Sequence, residues 1–110
     1  MRRVLGTLIL FGLSVVVCAG ETISEGWLAK GTKWETPFYA RISGKDGPTV
    51  VITGGIHGNE PAGARAAEQI RHWSIPRGRL VVIPQANIPG LRDGTRFLPG
   101  EPPSRRDLNR

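Results

Sequence analysis

At 110 residues the chain has room for one small domain at most. Its 15 basic and 9 acidic side chains give a formal charge of +6, which falls to +4 without Arg2 and Arg3. That moderate charge, with Phe97 as the only aromatic side chain in the arginine-rich stretch near the carboxyl terminus, argues against a nucleic-acid partner. Cys18 is the only cysteine, so no disulfide can form within the chain.

The first twenty residues have the three-part pattern of a secretory signal peptide. Arg2 and Arg3 precede an apolar run of 16 residues, Val4 to Ala19, that ends in small side chains. This run is shorter than the roughly 20 residues that span a membrane. We expect residues 1–20 to be removed, leaving a mature domain over residues 21–110 that is secreted or periplasmic, without stable membrane insertion.

A lipoprotein is the alternative interpretation of this segment, because Cys18 lies beside the expected cleavage site. Acylation of that thiol requires processing that favours a small preceding side chain, whereas Val17 is branched. We therefore favour a cleaved signal over a lipid anchor.

Strand-forming patterns follow the signal. Glu21 to Lys33 predicts an edge strand with its turn, and Thr36 to Ser43 predicts a second strand. The sequence SGKDGP, residues 43–48, is a strong turn that leads into the next strand, and the arrangement resembles a hairpin.

The run from Thr49 to Ile56 is apolar and β-branched, which is typical of a strand covered on both faces in a parallel sheet. A helix is predicted from Pro61 to Trp73, and a short strand from Arg79 to Pro84. Strand, helix and strand predict a right-handed crossover with a parallel pair. The predicted apolar stripe of the helix comprises Ala62, Ala66, Ile70 and Trp73. Residues 87–104 are expected to form a loop.

Two residues three positions apart, His57 and Glu60, follow the first of these strands. Their loop leaves the carboxyl end of the strand, where open α/β sheets usually bind ligands. Imidazole nitrogen and carboxylate oxygen are ligands that zinc prefers, and a catalytic zinc takes three protein ligands and a water. His57 and Glu60 are therefore candidates for two of the three. The alternative is a loop histidine beside Asn59 or Glu60 acting as a helix cap.

A third ligand is not evident from the pattern. His72 lies twelve residues beyond Glu60, about 18 Å along a helix, so we expect a surface imidazole at the helix end. Asp93, Glu101 and Asp107 remain candidates, and nothing in their surroundings selects one.

The motif GGIHGNEPAG at residues 54–63, the helix and strand after it, and the closing Asp-Leu-Asn-Arg at residues 107–110 resemble the zinc-dependent succinylglutamate desuccinylase and aspartoacylase family, within the metallocarboxypeptidase superfamily. The match runs from about Thr36 to Arg110. This resemblance implies a partial three-layer α/β/α zinc-carboxypeptidase-like fold, with a mixed, largely parallel sheet that breaks off after the Asp-Leu-Asn-Arg motif.

The resemblance also implies roles for individual residues. His57 and Glu60 match the first two zinc ligands, and Asn109 and Arg110 match the pair that holds the substrate carboxylate. Arg96 is a candidate for the arginine that polarises the scissile carbonyl in this superfamily, and the spacing leaves Arg92, Arg105 and Arg106 as rivals.

The implied activity is zinc-dependent hydrolysis of an amide by a deacylase or amidohydrolase of the N-acyl amino acid type. The substrate would be a small molecule or peptide that bears a carboxylate. In this family the third zinc ligand, a histidine, and the general-base glutamate lie beyond the Asp-Leu-Asn-Arg motif. The chain is therefore expected to be an amino-terminal fragment that is inactive alone. The alternatives are a zinc carboxypeptidase and a non-enzymatic basic module that binds polyanions.

Overall fold

The computed structural model describes the backbone of residues 14–18 and all of residues 20–110. The predicted signal peptide, residues 1–20, lies for the most part outside the described residues and stays a prediction. In the described part of the chain, no helix has the length and apolar character needed to cross a membrane.

The described strands form one mixed sheet with the order β1-β2-β3-β5-β4. They are β1 Ser14–Cys18, β2 Glu21–Leu28, β3 Thr36–Ile42, β4 Thr49–Thr53 and β5 Arg79–Ile83. Helix α1, Pro61–Ile70, connects β4 to β5, and helix α2, Ile88–Asp93, follows β5. The α/β class and the mixed sheet are confirmed. Within the described residues, β4 and β5 are the parallel pair, and the other three pairings are antiparallel.

Strands β2 and β3 form a hairpin, in a register that places Gly26 opposite Phe38, whereas the predicted turn at residues 43–48 leads from β3 to β4 without pairing the two strands. A Cβ atom at Gly26 would lie 2.7 Å from the Phe38 ring, so only glycine allows the ring to lie across the strand. On its other side β3 pairs with β5, and this pairing joins the hairpin to the β4-α1-β5 unit.

Helix α1 packs on β4 and β5 through small side chains. The core cluster consists of Ala67, Leu80 and Val82, with Ile52, Ile70 and Ile75 packed against it. A Cβ atom at Gly54 would lie 2.8 Å from the Ala67 methyl and 2.6 Å from the Gly63 carbonyl oxygen. The glycine that ends β4 thus lets α1 approach closely, and this approach aims the loop between them.

The predicted apolar stripe of α1 was right for Ile70, which packs against the core cluster, and wrong for its other three residues. Ala64 and Ala67 are buried, whereas Ala62 and Ala66 are exposed. The helix ends at Ile70, so Trp73 lies beyond it and is 62% exposed. The close approach at the two glycines after β4 is the reason, since Gly54 lies against Ala67 and Gly55 lies against Ala64.

The prediction that the first strand of this unit is covered on both faces was also wrong for the described residues. Val50 is 48% exposed and Val51 is 59% exposed. Because β4 is an edge strand and α1 covers one face of it, the opposite face of the described sheet has no covering layer over Val51.

Helix α2 lies where the sequence predicted only a loop. Asn87 caps it, with Oδ1 accepting a hydrogen bond from the Gly90 amide at 2.9 Å. Gly94, in the left-handed region at φ 64°, ends it. An asparagine cap, a proline in the first turn and a closing glycine are the usual signals of a short helix, and they were available in the sequence.

Candidate functional site

The loop after β4 carries His57 out of the carboxyl end of the strand and is held by the chain that follows β5. The amides of Ala86 and Asn87 donate to the carbonyl oxygens of Gly54 and Gly55, at 2.9 and 3.0 Å. Gly55 has a φ of 64°, a conformation that glycine adopts without strain. This turn directs His57 across the start of α1, as the sequence predicted for a site at this edge of the sheet.

Glu60 precedes the first residue of α1, yet its side chain makes no capping hydrogen bond. Instead Oε2 lies 3.4 Å from Nδ1 of His57, and Oε1 accepts a hydrogen bond from Arg96 at 2.6 Å. The alternative of Glu60 as a capping carboxylate is therefore not what the structure shows. Its carboxylate faces a histidine and an arginine.

A second carboxylate, Asp107, lies on the other side of the same imidazole. Its Oδ1 is 3.3 Å from Nε2 of His57. The side chains are 10% exposed for His57 and 15% exposed for Asp107, so this contact is largely screened from water. The Asn109 amide donates to the same oxygen at 3.0 Å, and Arg110 Nε lies 3.3 Å from the other one.

Both carboxyl groups have depressed pKa values. The hydrogen bond from the His57 ring is the main cause for Glu60, and the Arg96 guanidinium lowers that pKa further. The pKa of Asp107 is lowered chiefly by the backbone amide of Asn109, with His57 and Arg110 adding smaller effects. Glu60 and Asp107 are consequently ionised at neutral pH and can act only as acceptors or ligands.

These positions suit a zinc ion held by His57 and Glu60. Two ligand atoms of a tetrahedral zinc, each about 2.0 to 2.1 Å from the metal, lie roughly 3.3 to 3.4 Å from each other. Nδ1 of His57 and Oε2 of Glu60 are 3.4 Å apart. Asp107 can accept the proton of Nε2, so a bound metal would replace the proton that Nδ1 directs toward Glu60. Carboxylates that orient a metal-binding histidine in this way are common.

Among the described residues, no group of three or more histidine, cysteine, aspartate or glutamate side chains has the geometry to hold a metal ion. Asp107 does not complete a set with His57 and Glu60, because the two carboxylates lie on opposite nitrogens of one ring. Of the three carboxylates that the sequence left open, the structure selects Asp107, as a partner of His57. The signal that could have found it was its place at the start of the Asp-Leu-Asn-Arg motif, beside Asn109 and Arg110.

A cavity of about 400 Å³ opens beside these side chains. His57, Glu60 and Asn109 line it, together with residues 53–56, Ala62 and Gly63. Arg110 is 86% exposed and lies next to this wall without lining it. The structure thus brings Asn109 to the candidate metal ligands and leaves the Arg110 side chain at the rim.

Of the four arginines considered for the carbonyl-polarising role, Arg96 is the one that reaches the site, through Glu60. Arg92 pairs with the neighbouring Asp93 at 2.8 Å, and Arg106 stacks over Phe97 at 4.5 Å. Arg105 lines a separate apolar cavity.

His72 lies outside the site, as the helical spacing predicted. Its side chain is 60% exposed, and Nε2 is 3.9 Å from Glu68. This position agrees with the expectation of a surface imidazole at the end of α1.

Comparison with protein families decides the relationship. The model of the succinylglutamate desuccinylase/aspartoacylase catalytic domain matches residues 46–110, which is more than half of the chain. The chain belongs to this family. The resemblance noted in the sequence is thereby confirmed. A search of curated proteins finds no match.

Solved structures agree with this family assignment. An aspartoacylase family protein from Mesorhizobium loti has a TM-score of 0.61 and 24% identity, over 82% of this chain and 32% of that chain. Succinylglutamate desuccinylase/aspartoacylase from Rhodobacter sphaeroides has a TM-score of 0.54 and 28% identity, over 70% and 26%. The product-bound ectoine utilization protein EutE (DoeB) from Ruegeria pomeroyi has a TM-score of 0.57 and 24% identity, over 79% and 30%. The 110-residue chain spans about a third or less of the length of each of these three proteins.

Proposed function

We propose that this chain is the amino-terminal part of a zinc-dependent deacylase that hydrolyses the amide bond of N-acyl amino acids. One observation carries the proposal. Nδ1 of His57 and Oε2 of Glu60 lie 3.4 Å apart at the mouth of a cavity, while Asp107 meets the far nitrogen of the ring. Membership of a family named for desuccinylase and aspartoacylase activities supports it.

In this proposal His57 and Glu60 hold the metal through Nδ1 and a carboxylate oxygen. Zinc, when bound, supplies Lewis-acid chemistry that activates a water molecule and polarises the acyl carbonyl. Asp107 keeps the proton on Nε2, so that the other ring nitrogen stays available as a ligand. The third protein ligand and the carboxylate that carries the proton are placed in the part of the protein beyond residue 110, as the resemblance implies.

Arg96 and the pair Asn109 and Arg110 would handle the substrate. We call residues 54–60, which carry His57 and Glu60, the metal loop. The Arg96 guanidinium already lies at this loop through its pairing with Glu60, so its remaining N–H groups can donate to an acyl oxygen that gains negative charge. Asn109 lines the cavity, and Arg110 at its rim can make two parallel hydrogen bonds to a carboxylate. The amide would be held between these two points.

The reaction itself is a hydrolysis. The water oxygen forms a bond to the acyl carbon, the C–N bond breaks, and the leaving nitrogen takes a proton. The products are a carboxylic acid and a free amino acid. The Glu60 carboxylate lines the cavity, so a substrate with a carboxylate of its own fits only if the Arg110 side chain turns toward the cavity. The Arg110→Lys variant tests this turn.

The test uses the full-length protein that carries this chain, loaded with zinc. N-acyl amino acids with an additional carboxylate are compared with peptides that have a free carboxyl terminus. We expect release of free amino acid from the N-acyl compounds, loss of that activity in chelator, and recovery with zinc. Cleavage of the peptides alone would favour a carboxypeptidase, and activity that survives removal of all metal would contradict the proposal.

We also propose that residues 1–20 direct export to the periplasm or the medium. Their removal would take β1 away and leave β2 as an edge strand of the sheet, the position predicted for residues 21–33. Mass spectrometry of the protein recovered from its own cells tests this: the mature chain should begin at residue 20 or 21. A chain that retains Met1 would contradict it.

A further inference from the structure

Asn87 is a buried polar residue that joins the metal loop to helix α2. Its side chain is fully buried, at 0% exposure. Oδ1 accepts a hydrogen bond from the Gly90 amide at 2.9 Å, and Nδ2 donates to the Ile56 carbonyl oxygen at 3.2 Å. Its backbone amide donates to the Gly55 carbonyl oxygen at 3.0 Å. One residue therefore caps α2 and holds two consecutive carbonyl groups immediately before His57.

The loop and the helix also meet backbone to backbone. A Cβ atom at Gly58, the residue after His57, would overlap the Gly90 carbonyl group. A Cβ atom at Gly90 would in turn overlap the Asn87 carboxamide. Neither Gly58 nor Gly90 has room for a side chain, so the loop after β4 packs directly against the first turn of α2.

The two contacts constrain the imidazole from both sides. Ile56 and Gly58 flank His57, and each of them is held against the first turn of α2, by Asn87 and by Gly90 respectively. The Asn87 carboxamide is buried, so losing either of its hydrogen bonds would leave an unpaired donor or acceptor away from water, which is unfavourable. The direction of the His57 ring thus depends on the Asn87 carboxamide.

The residues that follow α2 carry the arginine of the same site. The Thr95 amide donates to the Gly90 carbonyl oxygen at 2.9 Å, and the next residue, Arg96, pairs with Glu60. The helical turn that contacts the loop and the arginine that pairs with Glu60 therefore belong to one short segment, residues 87–96. A shift of that segment would move both candidate ligands relative to each other.

From these contacts we propose that Asn87 is a positioning residue of the metal site, whose carboxamide sets the His57 ring in the direction that binds zinc. This inference rests on the proposed function, since it concerns the affinity of that site for its metal. Asn87 itself touches neither metal nor substrate.

The test measures two quantities on the full-length protein, the dissociation constant for zinc by competition with a chelator and the melting temperature without metal. Asn87→Asp keeps the acceptor that caps α2 but replaces the Nδ2 donor with an oxygen that faces the Ile56 carbonyl. Partners that orient metal ligands typically contribute ten- to hundredfold to affinity. We expect zinc binding to weaken at least roughly tenfold.

Thr36→Val is the matched control. Thr36 is also buried, at 6% exposure, and its hydroxyl donates at 2.6 Å to the carbonyl oxygen of Gln85, two residues before Asn87. It makes no hydrogen bond to the metal loop. This variant should lower the melting temperature while zinc affinity stays within about twofold of wild type. Asn87→Ser, which introduces no charge, is read in the same way if the aspartate variant does not fold.

Two results overturn the inference. The first is wild-type zinc affinity in a folded Asn87 variant, and the second is a loss of affinity in Thr36→Val as large as in the Asn87 variant. If zinc binds the wild type and is lost in His57→Ala, either result removes the positioning role and leaves the proposed function intact. A wild-type protein that binds no zinc overturns both.

Discussion

The two ends of α1 carry the same three residue types and form different structures. Each end has a histidine, a glutamate and an arginine: His57, Glu60 and Arg96 at the amino-terminal end, and His72, Glu68 and Arg71 at the other. Their comparison separates a candidate site from a surface network, because residue type is held constant and the surroundings differ.

At the carboxyl-terminal end the charged groups attach the helix to the sheet. Arg71 bonds to Glu68 at 2.6 Å and lies over the Tyr39 ring at 4.0 Å. Arg41 donates from β3 to the Arg71 carbonyl oxygen at 2.9 Å. His72 is left 60% exposed and takes no part in this attachment. These contacts stabilise the position of the helix.

At the amino-terminal end the histidine is the buried group, and the charges converge on it. His57 is 10% exposed and has a carboxylate at each ring nitrogen, and a cavity opens beside it. The same residue types thus form a candidate site where the imidazole is buried and oriented, and a surface network where it is exposed.

The largest expected effect distinguishes the two histidines. In the full-length protein, His57→Ala should remove most of the bound zinc, because no neighbouring imidazole can replace it. His72→Ala should leave the zinc content unchanged. Metal analysis of the purified variants measures the zinc content of both. An equal loss of zinc in the two variants would mean that the burial of His57 does not distinguish it from His72.

A smaller effect is expected from the partner of the ring. Asp107→Asn keeps the shape of the side chain but removes the charge that holds the Nε2 proton, so zinc affinity should fall roughly ten- to hundredfold. Chelator competition measures the change. Wild-type affinity in this variant would show that the 3.3 Å contact with His57 does not orient the ring.

The rim of the cavity provides the third prediction. Arg110→Lys keeps the charge but loses the planar fork, so a substrate carboxylate would be held at one point and move relative to the reacting carbonyl. Catalytic efficiency should fall roughly ten- to hundredfold, as expected for a charge-assisted hydrogen bond.

The control is a substrate analogue without that carboxylate, for which wild type and Arg110→Lys should differ little. Kinetics on both compounds decide the role. Equal losses on the two would mean that Arg110 supports the fold through Asp107 instead of binding substrate.

The smallest effect is expected at the opposite end of the helix. Glu68→Gln removes the charge that pairs with Arg71 three residues on, a partly exposed pair at helical spacing of the kind that contributes about 0.2 to 0.5 kcal/mol. Thermal unfolding should show a slight decrease in stability, and zinc content should not change. A loss of zinc in this variant would mean that the two ends of α1 are coupled.

Much of the fold followed from local patterns in the sequence. A β-branched run ended by two glycines, a proline at the first helical position and a second short apolar run predicted β4, α1 and β5 and their parallel pairing. The same patterns predicted the place of His57 and Glu60, at the carboxyl end of β4. These features depend on neighbouring residues, so periodicity and turn chemistry suffice to find them.

The sequence by itself thus determined the family, the β4-α1-β5 unit and the loop that carries His57. Tertiary structure alone decided which carboxylate meets the far nitrogen of that ring, which alanines of α1 are buried, and that Asn87 holds the loop. Asp107 is 50 residues from His57 in the chain, and Asn87 is 31 residues from Ile56. Contacts over such separations form only when the segments after β4, after β5 and at residues 107–110 come together in the folded chain, and no local pattern in the sequence encodes them.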